Sequence, residues 1–194
     1  MSVPAPVVDD ALASKSDQKM AVFAGGCFWG IQAVFQHVNG VVMATSGYAG
    51  GSEATAHYEL VSNGNTGHAE SVQVIYDPSK VTYGTLLRVF FSVAHDPTEV
   101  NRQGPDDGPQ YRSAVFIANP EQEKIVKAYI SQLDGASVFA SPIATKVTPL
   151  AGFYAAEEYH QNYATNHPTD PYIVINDAPK VVALQKQFPT LYKR

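Results

Sequence analysis

Hydrophobic and polar positions follow two different periods along the chain, and they predict strands followed by helices. An apolar run over residues 20–24 predicts a buried strand, and apolar residues at helical spacing over 31–37 predict a helix directly after it. Alternation over 70–76 predicts a half-buried strand that ends at Asp77-Pro78. Apolar residues at helical spacing over 82–94 predict a helix that covers one face of the sheet.

Shorter elements and two irregular stretches complete the pattern. The remaining predicted elements are an extended run over 41–48, a strand over 111–118, a helix over 119–133 that Gly135 ends, a strand over 143–147, a helix over 155–163 and a helix over 180–188. Residues 50–65, with one helical turn near Tyr58, and residues 97–109 predict long loops, which in compact domains are usually functional. Strand–helix alternation with an antiparallel pair favours two layers, a sheet with helices packed against it.

Composition indicates one ordinary globular domain and excludes several classes of function. The 194 residues are 45% apolar and 16% charged, enough for one sizeable core. The net charge of −5 and the lack of a lysine or arginine cluster argue against binding to nucleic acid or to an anionic membrane. No apolar run approaches the roughly 20 residues that a membrane-spanning helix needs. One cysteine excludes an internal disulfide, and no Cys/His pairs stand at zinc-ligand spacing, so no metal is expected.

Residues 1–19 differ from the rest of the chain. They mix proline, serine, alanine and acidic residues, and they lack the basic segment and apolar core of a secretory signal. We therefore predict a flexible leader over 1–19 and a catalytic domain over 20–194. As given, the sequence predicts a cytoplasmic protein. A chain from which a leader had been removed would look the same, so a periplasmic location stays open.

The only cysteine lies in the run GGCFWG, residues 25–30, between the first predicted strand and helix. The N–H groups and positive dipole end of a helix stabilise a thiolate at such a turn. The glycines before Cys27 allow close approach of backbone or ligand, and Phe28 and Trp29 place apolar surface beside the sulfur. The alternative is a small buried apolar side chain at a tight turn. The flanking residues favour a nucleophile.

Six motifs in order resemble the A-type peptide methionine sulfoxide reductases, over about residues 21–172. They are GCFWG (26–30), GYAGG (47–51), GHAE (67–70), HDPT (95–98), RQG with QYRS (102–104 and 110–113) and AEEYHQ (156–161). The resemblance implies an α+β fold, a ferredoxin-like two-layer α/β sandwich in a single domain with irregular N- and C-terminal extensions. It also implies thiol-dependent reduction of methionine S-sulfoxide, free or in proteins, to methionine, and thus repair of oxidised proteins.

Reduction of a sulfoxide needs a nucleophile, a proton donor and an apolar pocket. Cys27 is the predicted nucleophile, as a thiolate or as a thiol that loses its proton during attack. The resemblance makes Glu70 the general acid. Burial in an apolar pocket would raise the pKa of this carboxyl group and keep it protonated near neutral pH. Without the resemblance, Glu70 would be expected to be a solvated residue at a strand edge. The resemblance likewise assigns Tyr58 and Tyr111 as hydroxyl donors to the sulfoxide oxygen, where core rings would otherwise be expected. Asp106 would orient this network; its alternative is a surface turn residue.

Four residues are predicted to bind the substrate. Phe28 and Trp29 fit as walls of a pocket for the methyl group. His160 and Tyr163 line the site by resemblance, and the helix predicted over 155–163 would place both on one face. A histidine taken alone would more often be a satisfied core or surface residue.

The chain departs from the common family pattern near its C-terminus. Many members carry recycling cysteines there, whereas this chain has HPTDPYI at 167–173 and no cysteine after it. We therefore predict a one-cysteine enzyme that forms a sulfenic acid on Cys27. It would need no cofactor beyond an external thiol: thioredoxin, glutaredoxin, glutathione or another thiol. We expect a monomer.

Two other classes of function stay open at this point. A cysteine hydrolase or acyltransferase would use His68 or His160 to activate Cys27, with Asp106 as orienter. The substitution Glu70→Gln should abolish sulfoxide reduction and spare simple acyl transfer. A non-catalytic module would bind methionine-rich or oxidised peptides through Phe28 and Trp29 and leave the sulfoxide unchanged during incubation with thiol.

Overall fold

A computed structural model describes residues 3–194, which form one mixed α/β domain. The strands are β1 (Lys19–Ala24), β2 (Val41–Ala49), β3 (Ala69–Tyr76), β4 (Arg102–Gln103), β5 (Asp106–Asp107), β6 (Ala114–Ile117), β7 (Lys146–Pro149) and β8 (Phe153–Ala155). The α-helices are α1 (Phe28–Gln36), α2 (Tyr58–Val61), α3 (Tyr83–Val89), α4 (Pro120–Gly135), α5 (Tyr163–Asn166) and α6 (Ala178–Gln187). Single 3₁₀ turns lie at Glu53–Thr55, Pro109–Tyr111 and Glu158–His160, and π-helical turns lie at Phe90–Ala94 and Ile173–Asp177.

Six strands form one sheet in the order β7-β6-β1-β3-β2-β8, and β4 and β5 form a separate hairpin. Strand β1 is antiparallel to both of its neighbours, β3 and β6, and only the edge pair β6–β7 is parallel. Strand β3 also pairs with β2, where Glu70 lies directly across from Tyr48. The residue that follows β1 and its turn therefore emerges at the middle of the sheet.

Both faces of the sheet are covered, which explains the apolar run in β1. Ala21 and Phe23 point into the large core under the helices, whereas Val22 and Ala24 point into a smaller cluster on the other face. In the large core the Phe23 ring stacks on rings from α1 and from the π-helical turn after α3, each at 5.0 Å between centroids. These contacts fix the end of β1 relative to α1.

The predicted start of α4 is confirmed in detail. The Asn119 side chain accepts a hydrogen bond from the Gln122 N–H at 2.9 Å, and Pro120 occupies the first helical position. The helix ends at Gly135, two residues beyond the predicted end at Leu133.

The segment before β1 packs on the domain, where the sequence predicted a flexible leader. Val3 is buried, and the Tyr129 hydroxyl on α4 donates to the Pro4 carbonyl at 2.7 Å. Asp9 accepts hydrogen bonds from the Thr82 hydroxyl at 2.6 Å and from a backbone N–H in α3. The described part of this segment is therefore held by α3 and α4, and a division of the chain at residue 19 stays a prediction.

The helix predicted over 155–163 is wrong. This stretch contains the end of β8, the turn Glu158–His160 and Asn162 with a φ of +56°, before the short helix α5 begins at Tyr163. The Gln161 side chain accepts from the Ser46 N–H and donates to the Ser46 carbonyl, so it takes a place at the edge of β2. Pairing with the sheet has replaced the helical hydrogen bonds that the local pattern favours.

Two other strand boundaries also differ from prediction. The strand predicted over 111–118 begins only at Ala114, because Tyr111 ends a 3₁₀ turn. The strand predicted over 143–147 is β7, Lys146–Pro149. Among residues 3–194 no helix is long and apolar enough to cross a membrane; the compartment stays a prediction.

Candidate active site

Cys27 is the N-cap residue of α1, at the turn that follows β1. The two preceding glycines leave room for the side chains of His95 and Gln103, which pack directly against the turn. A Cβ on Gly25 would lie 2.7 Å from the His95 ring, and a Cβ on Gly26 would lie 2.5 Å from the Gln103 side chain. Gly26 also has a φ of +94°, which disfavours any other residue. The turn therefore depends on glycine, and it holds Cys27 with 9% of its surface exposed.

The resting sulfur is a thiol. Burial raises the pKa of Cys27 well above its ordinary value, and the charges of Glu70 and Asp177 raise it further. The backbone N–H of Trp29 acts in the opposite direction but does not outweigh burial. The N-terminus of α1 thus favours a thiolate as expected, but burial outweighs it and keeps the resting sulfur protonated. Of the two predicted states of Cys27, the thiol is the one that fits the structure.

Glu70 is a buried acid beside Cys27. Its side chain is 3% exposed near the start of β3, and its Oε2 accepts a hydrogen bond from the Phe28 N–H at 3.1 Å. Burial raises the pKa of Glu70 to about 8, although the Phe28 N–H lowers it. The carboxyl group is thus mostly protonated at neutral pH. The interpretation of Glu70 as a solvated strand-edge residue is wrong.

Two predicted phenols stand near this acid. Tyr58 begins α2, Tyr111 ends the 3₁₀ turn Pro109–Tyr111, and both side chains are half-buried. Burial raises the pKa of both hydroxyls, and the charge of Glu70 raises them further. Both hydroxyl groups are therefore protonated at neutral pH and able to donate a hydrogen bond.

Asp106 is held by a tyrosine that sequence reasoning missed. Its Oδ2 accepts a short hydrogen bond from the hydroxyl of Tyr172, and the β4–β5 hairpin carries Asp106 into this position. The Tyr172 ring meets the Trp29 ring edge-on at 5.8 Å. Nothing local in the proline-rich tail marks Tyr172 as different from the other ten tyrosines. Only its long-range contacts identify it.

The aromatic residues predicted to bind the substrate form one cluster. Trp29 stacks on Tyr163 with 3.7 Å between ring centroids, and its Nε1 donates to His160 Nδ1 at 3.2 Å. The His160 ring also packs against Phe28 at 5.1 Å and Tyr58 at 4.5 Å. The structure thus brings His160 and Tyr163 together at Trp29 from a 3₁₀ turn and from α5, and not from one helix as predicted.

Neither candidate histidine has a free acceptor nitrogen for the thiol. An indole N–H only donates, so His160 Nδ1 is the acceptor and the ring proton lies on Nε2. Burial lowers the pKa of His160, which keeps the ring neutral. His68 Nδ1 accepts from the Gly51 N–H at 3.2 Å, and its Nε2 lies 2.9 Å from the Ser52 carbonyl, to which it must donate. A cysteine–histidine pair of the hydrolase type is therefore not formed.

Sequence reasoning also missed Asp177, a carboxyl group with no exposed surface on the C-terminal side of the site. Its Oδ1 accepts from Lys180 Nζ at 3.0 Å, and its carboxylate lies so close to Gly30 that a Cβ there would overlap it. Burial raises the pKa of Asp177, and the ion pair with Lys180 lowers it. The C-terminal segment is thus packed against the first turn of α1, which begins at Phe28.

No metal-binding site is found in the part of the chain that the structure describes. Over residues 3–194, no group of three or more His, Cys, Asp or Glu side chains is placed to hold a metal ion.

The fold places a buried thiol, a buried protonated carboxyl group, two phenols and a cluster of aromatic rings together near the turn after β1. The model of the family described as peptide methionine sulfoxide reductase matches residues 19–191. The chain belongs to this family, and it reduces methionine sulfoxide in the repair of oxidised proteins.

Relatives and solved structures agree with this assignment. Peptide methionine sulfoxide reductase MsrA 2 of Mesorhizobium japonicum is 59% identical over 172 residues, which cover 89% of this chain and 88% of the relative. The crystal structure of reduced Mxr1 from Saccharomyces cerevisiae is similar with a TM-score of 0.70 and 34% identity, over 82% of this chain and 94% of that one. Mxr1 in complex with Trx2 is similar with a TM-score of 0.50 and 27% identity, over 77% of this chain and 89% of that one.

Proposed function

We propose that the chain reduces the S epimer of methionine sulfoxide, free or in proteins, in a cycle carried by Cys27 alone. The Cys27 sulfur attacks the sulfoxide sulfur and forms an S–S bond, while the thiol proton of Cys27 and the proton of Glu70 pass to the sulfoxide oxygen, which is a poor leaving group unless protonated and leaves as water. Water then attacks the Cys27 sulfur, the S–S bond breaks, and methionine leaves with both electrons of that bond. One proton of the attacking water returns to Glu70, and Cys27 is left as a sulfenic acid. The observation that supports this most is the buried acid, with a pKa of about 8, hydrogen-bonded to the residue after the nucleophile.

The remaining site residues fit supporting roles. The hydroxyls of Tyr58 and Tyr111 would donate to the sulfoxide oxygen as negative charge develops on it, because their raised pKa values keep them protonated. Asp106 would orient the donors through its bond from Tyr172. Phe28 and Trp29 would form the methyl pocket, closed on one side by His160 and Tyr163.

Regeneration of Cys27 needs an external thiol because the chain holds no second cysteine. One thiol condenses with the sulfenic acid and releases water, and a second thiol releases Cys27 and leaves a disulfide of the two reductants. The complex of Mxr1 with Trx2 supports a thioredoxin as reductant; glutathione, glutaredoxin or another thiol would serve the same chemistry. We propose that the enzyme works without a cofactor and that it is a monomer.

Two finer points of architecture and location belong to the same proposal. The strand order β6-β1-β3-β2, with α1 between β1 and β2 and α3 between β3 and β6, supports a ferredoxin-like centre extended by β7 and β8. We also propose a cytoplasmic location and a leader over residues 1–19, as the sequence predicts.

Separate incubations with the S and R epimers test the stereochemical part of the proposal. Each epimer is given to the enzyme with dithiothreitol, and a parallel incubation without enzyme measures reduction by the thiol alone. We expect methionine to appear from the S epimer only. Equal loss of both epimers, or loss of the R epimer alone, would contradict the proposed selectivity without touching the family assignment.

A further inference from the structure

Glu157 links two elements of the active site. It precedes the turn Glu158–His160, and its half-buried side chain uses both carboxylate oxygens. Oε1 accepts a hydrogen bond from the Tyr58 backbone N–H at 2.9 Å, and Oε2 accepts one from the Tyr48 hydroxyl at 2.8 Å. One carboxylate therefore joins β2 to the first residue of α2.

Helix α2 depends on this carboxylate for its N-terminal hydrogen bond. The helix has four residues, too few to be stable by itself, and its N-cap residue His57 makes no side-chain capping bond. Glu157 supplies the missing acceptor from a distant part of the chain, and its negative charge suits the helix N-terminus. The bond made by Glu157 thus holds the backbone from which the Tyr58 side chain extends.

The other end of the link is rigid. Tyr48 has no exposed surface, and in the sheet it pairs directly with Glu70 on β3. Its ring also packs against Phe28 at 5.8 Å between centroids. Glu157 and Tyr48 therefore connect the Tyr58 backbone to β2, the strand that pairs with β3 at Glu70.

The same residue organises the turn that carries His160. The His160 N–H donates to the Glu157 carbonyl at 2.9 Å, and the His160 ring contacts Tyr58 and Phe28. Burial acts to raise the pKa of Glu157, but hydrogen bonds from the Tyr58 N–H, its own N–H and the Tyr48 hydroxyl outweigh burial and lower it. The side chain is therefore ionised and accepting at neutral pH.

We propose that Glu157 is a positioning residue for sulfoxide reduction, which holds the Tyr58 phenol at a fixed place relative to Glu70 and Cys27. The inference rests on the proposed role of Tyr58 as a donor to the sulfoxide oxygen. A donor aimed at developing charge acts in the transition state, so its misplacement lowers kcat more than it raises KM. Glu157 itself touches no reacting atom in this proposal.

The test compares four single variants and one double variant, each with the S epimer and dithiothreitol. Glu157→Ala should lower kcat at least about tenfold, with a smaller change in KM. Glu157→Gln should restore most of kcat, because its amide oxygen can accept from the Tyr58 N–H and its NH₂ can donate to the Tyr48 oxygen. Glu158→Ala is the matched control, since the neighbouring Glu158 is exposed, and it should retain wild-type kinetics.

The background Tyr58→Phe separates positioning from a general structural role. If Glu157 acts through the Tyr58 hydroxyl, then Glu157→Ala should reduce kcat little further in Tyr58→Phe. Equal losses in both backgrounds, or Glu157→Ala with wild-type kcat, would overturn the inference. A wild-type enzyme that leaves the S epimer intact would instead refute the proposed function.

Discussion

Replacing Glu70 with glutamine should remove a pH dependence from the stability of this protein. The Glu70 side chain is 3% exposed, and burial raises its pKa from 4.5 to about 8. In the unfolded chain the same carboxyl group is in water and ionises near its ordinary pKa. Glutamine has the shape of the protonated acid, stays uncharged at every pH and can still accept from the Phe28 N–H through its amide oxygen.

The size and sign of the effect follow from proton linkage. Because the folded-state pKa is raised, the stabilising contribution of protonated Glu70 is complete below the unfolded pKa and is lost as pH rises through the folded pKa. Each pKa unit corresponds to about 1.4 kcal/mol, so the shift from 4.5 to about 8 predicts a loss of roughly 3 kcal/mol between about pH 5 and pH 8. A loss of this size is a large part of the free energy of unfolding of a typical domain.

Urea unfolding of wild type and Glu70→Gln across this pH range measures the loss. Other titrating groups are common to both proteins, so the difference between their free energies of unfolding isolates Glu70. We expect wild type to fall by roughly 3 kcal/mol relative to Glu70→Gln on going from about pH 5 to about pH 8. The exposed Glu53 supplies the control variant Glu53→Gln, which should follow wild type. Parallel curves for wild type and Glu70→Gln would show that the folded protein does not hold the Glu70 proton.

Three further outcomes follow from the same structure. Sulfoxide reduction by wild type should slow as pH rises through about 8, where Glu70 loses its proton, and Glu70→Gln should be slower by at least about 100-fold at every pH in the rate of methionine formation. Cys27→Ser should abolish turnover and unfold at close to the wild-type urea midpoint; residual turnover would assign the nucleophile elsewhere. Gly30→Ala should lower the thermal midpoint because its Cβ would overlap Asp177, whereas Gly135→Ala, with open space around its Cβ, should not; equal midpoints would contradict the close packing at Gly30.

Local sequence signals predicted the position of Cys27 and most of the central elements. The apolar run of β1 is buried on both faces, and a glycine-rich turn delivers Cys27 to the start of α1, as the GGCFWG run indicates. The motifs also pointed to Glu70 as the acid, and the buried, proton-holding carboxyl group fits that role. These features depend on residues that are neighbours in the sequence or lie in a short motif.

Features that depend on contacts between distant segments could not be predicted. Glu157 bonds to Tyr58, which lies 99 residues earlier in the chain, and Tyr172 bonds to Asp106 across 66 residues. The sequence left the state of Cys27 open for a related reason: the local helix terminus favours a thiolate, but burial by the whole fold raises the pKa of the thiol. The stretch before Tyr163 likewise has a helical pattern that pairing with β2 overrides.

Product formation in the absence of any reductant tests the one-cysteine cycle most directly. The enzyme is first reduced, freed of thiol and mixed with an excess of the S epimer, and methionine and the mass of the protein are then measured. The account predicts one methionine for each Cys27, after which the reaction stops, with a gain of one oxygen on Cys27 that a dimedone-type reagent traps. Continued formation of methionine without thiol, or an unmodified Cys27 after methionine has formed, would contradict it.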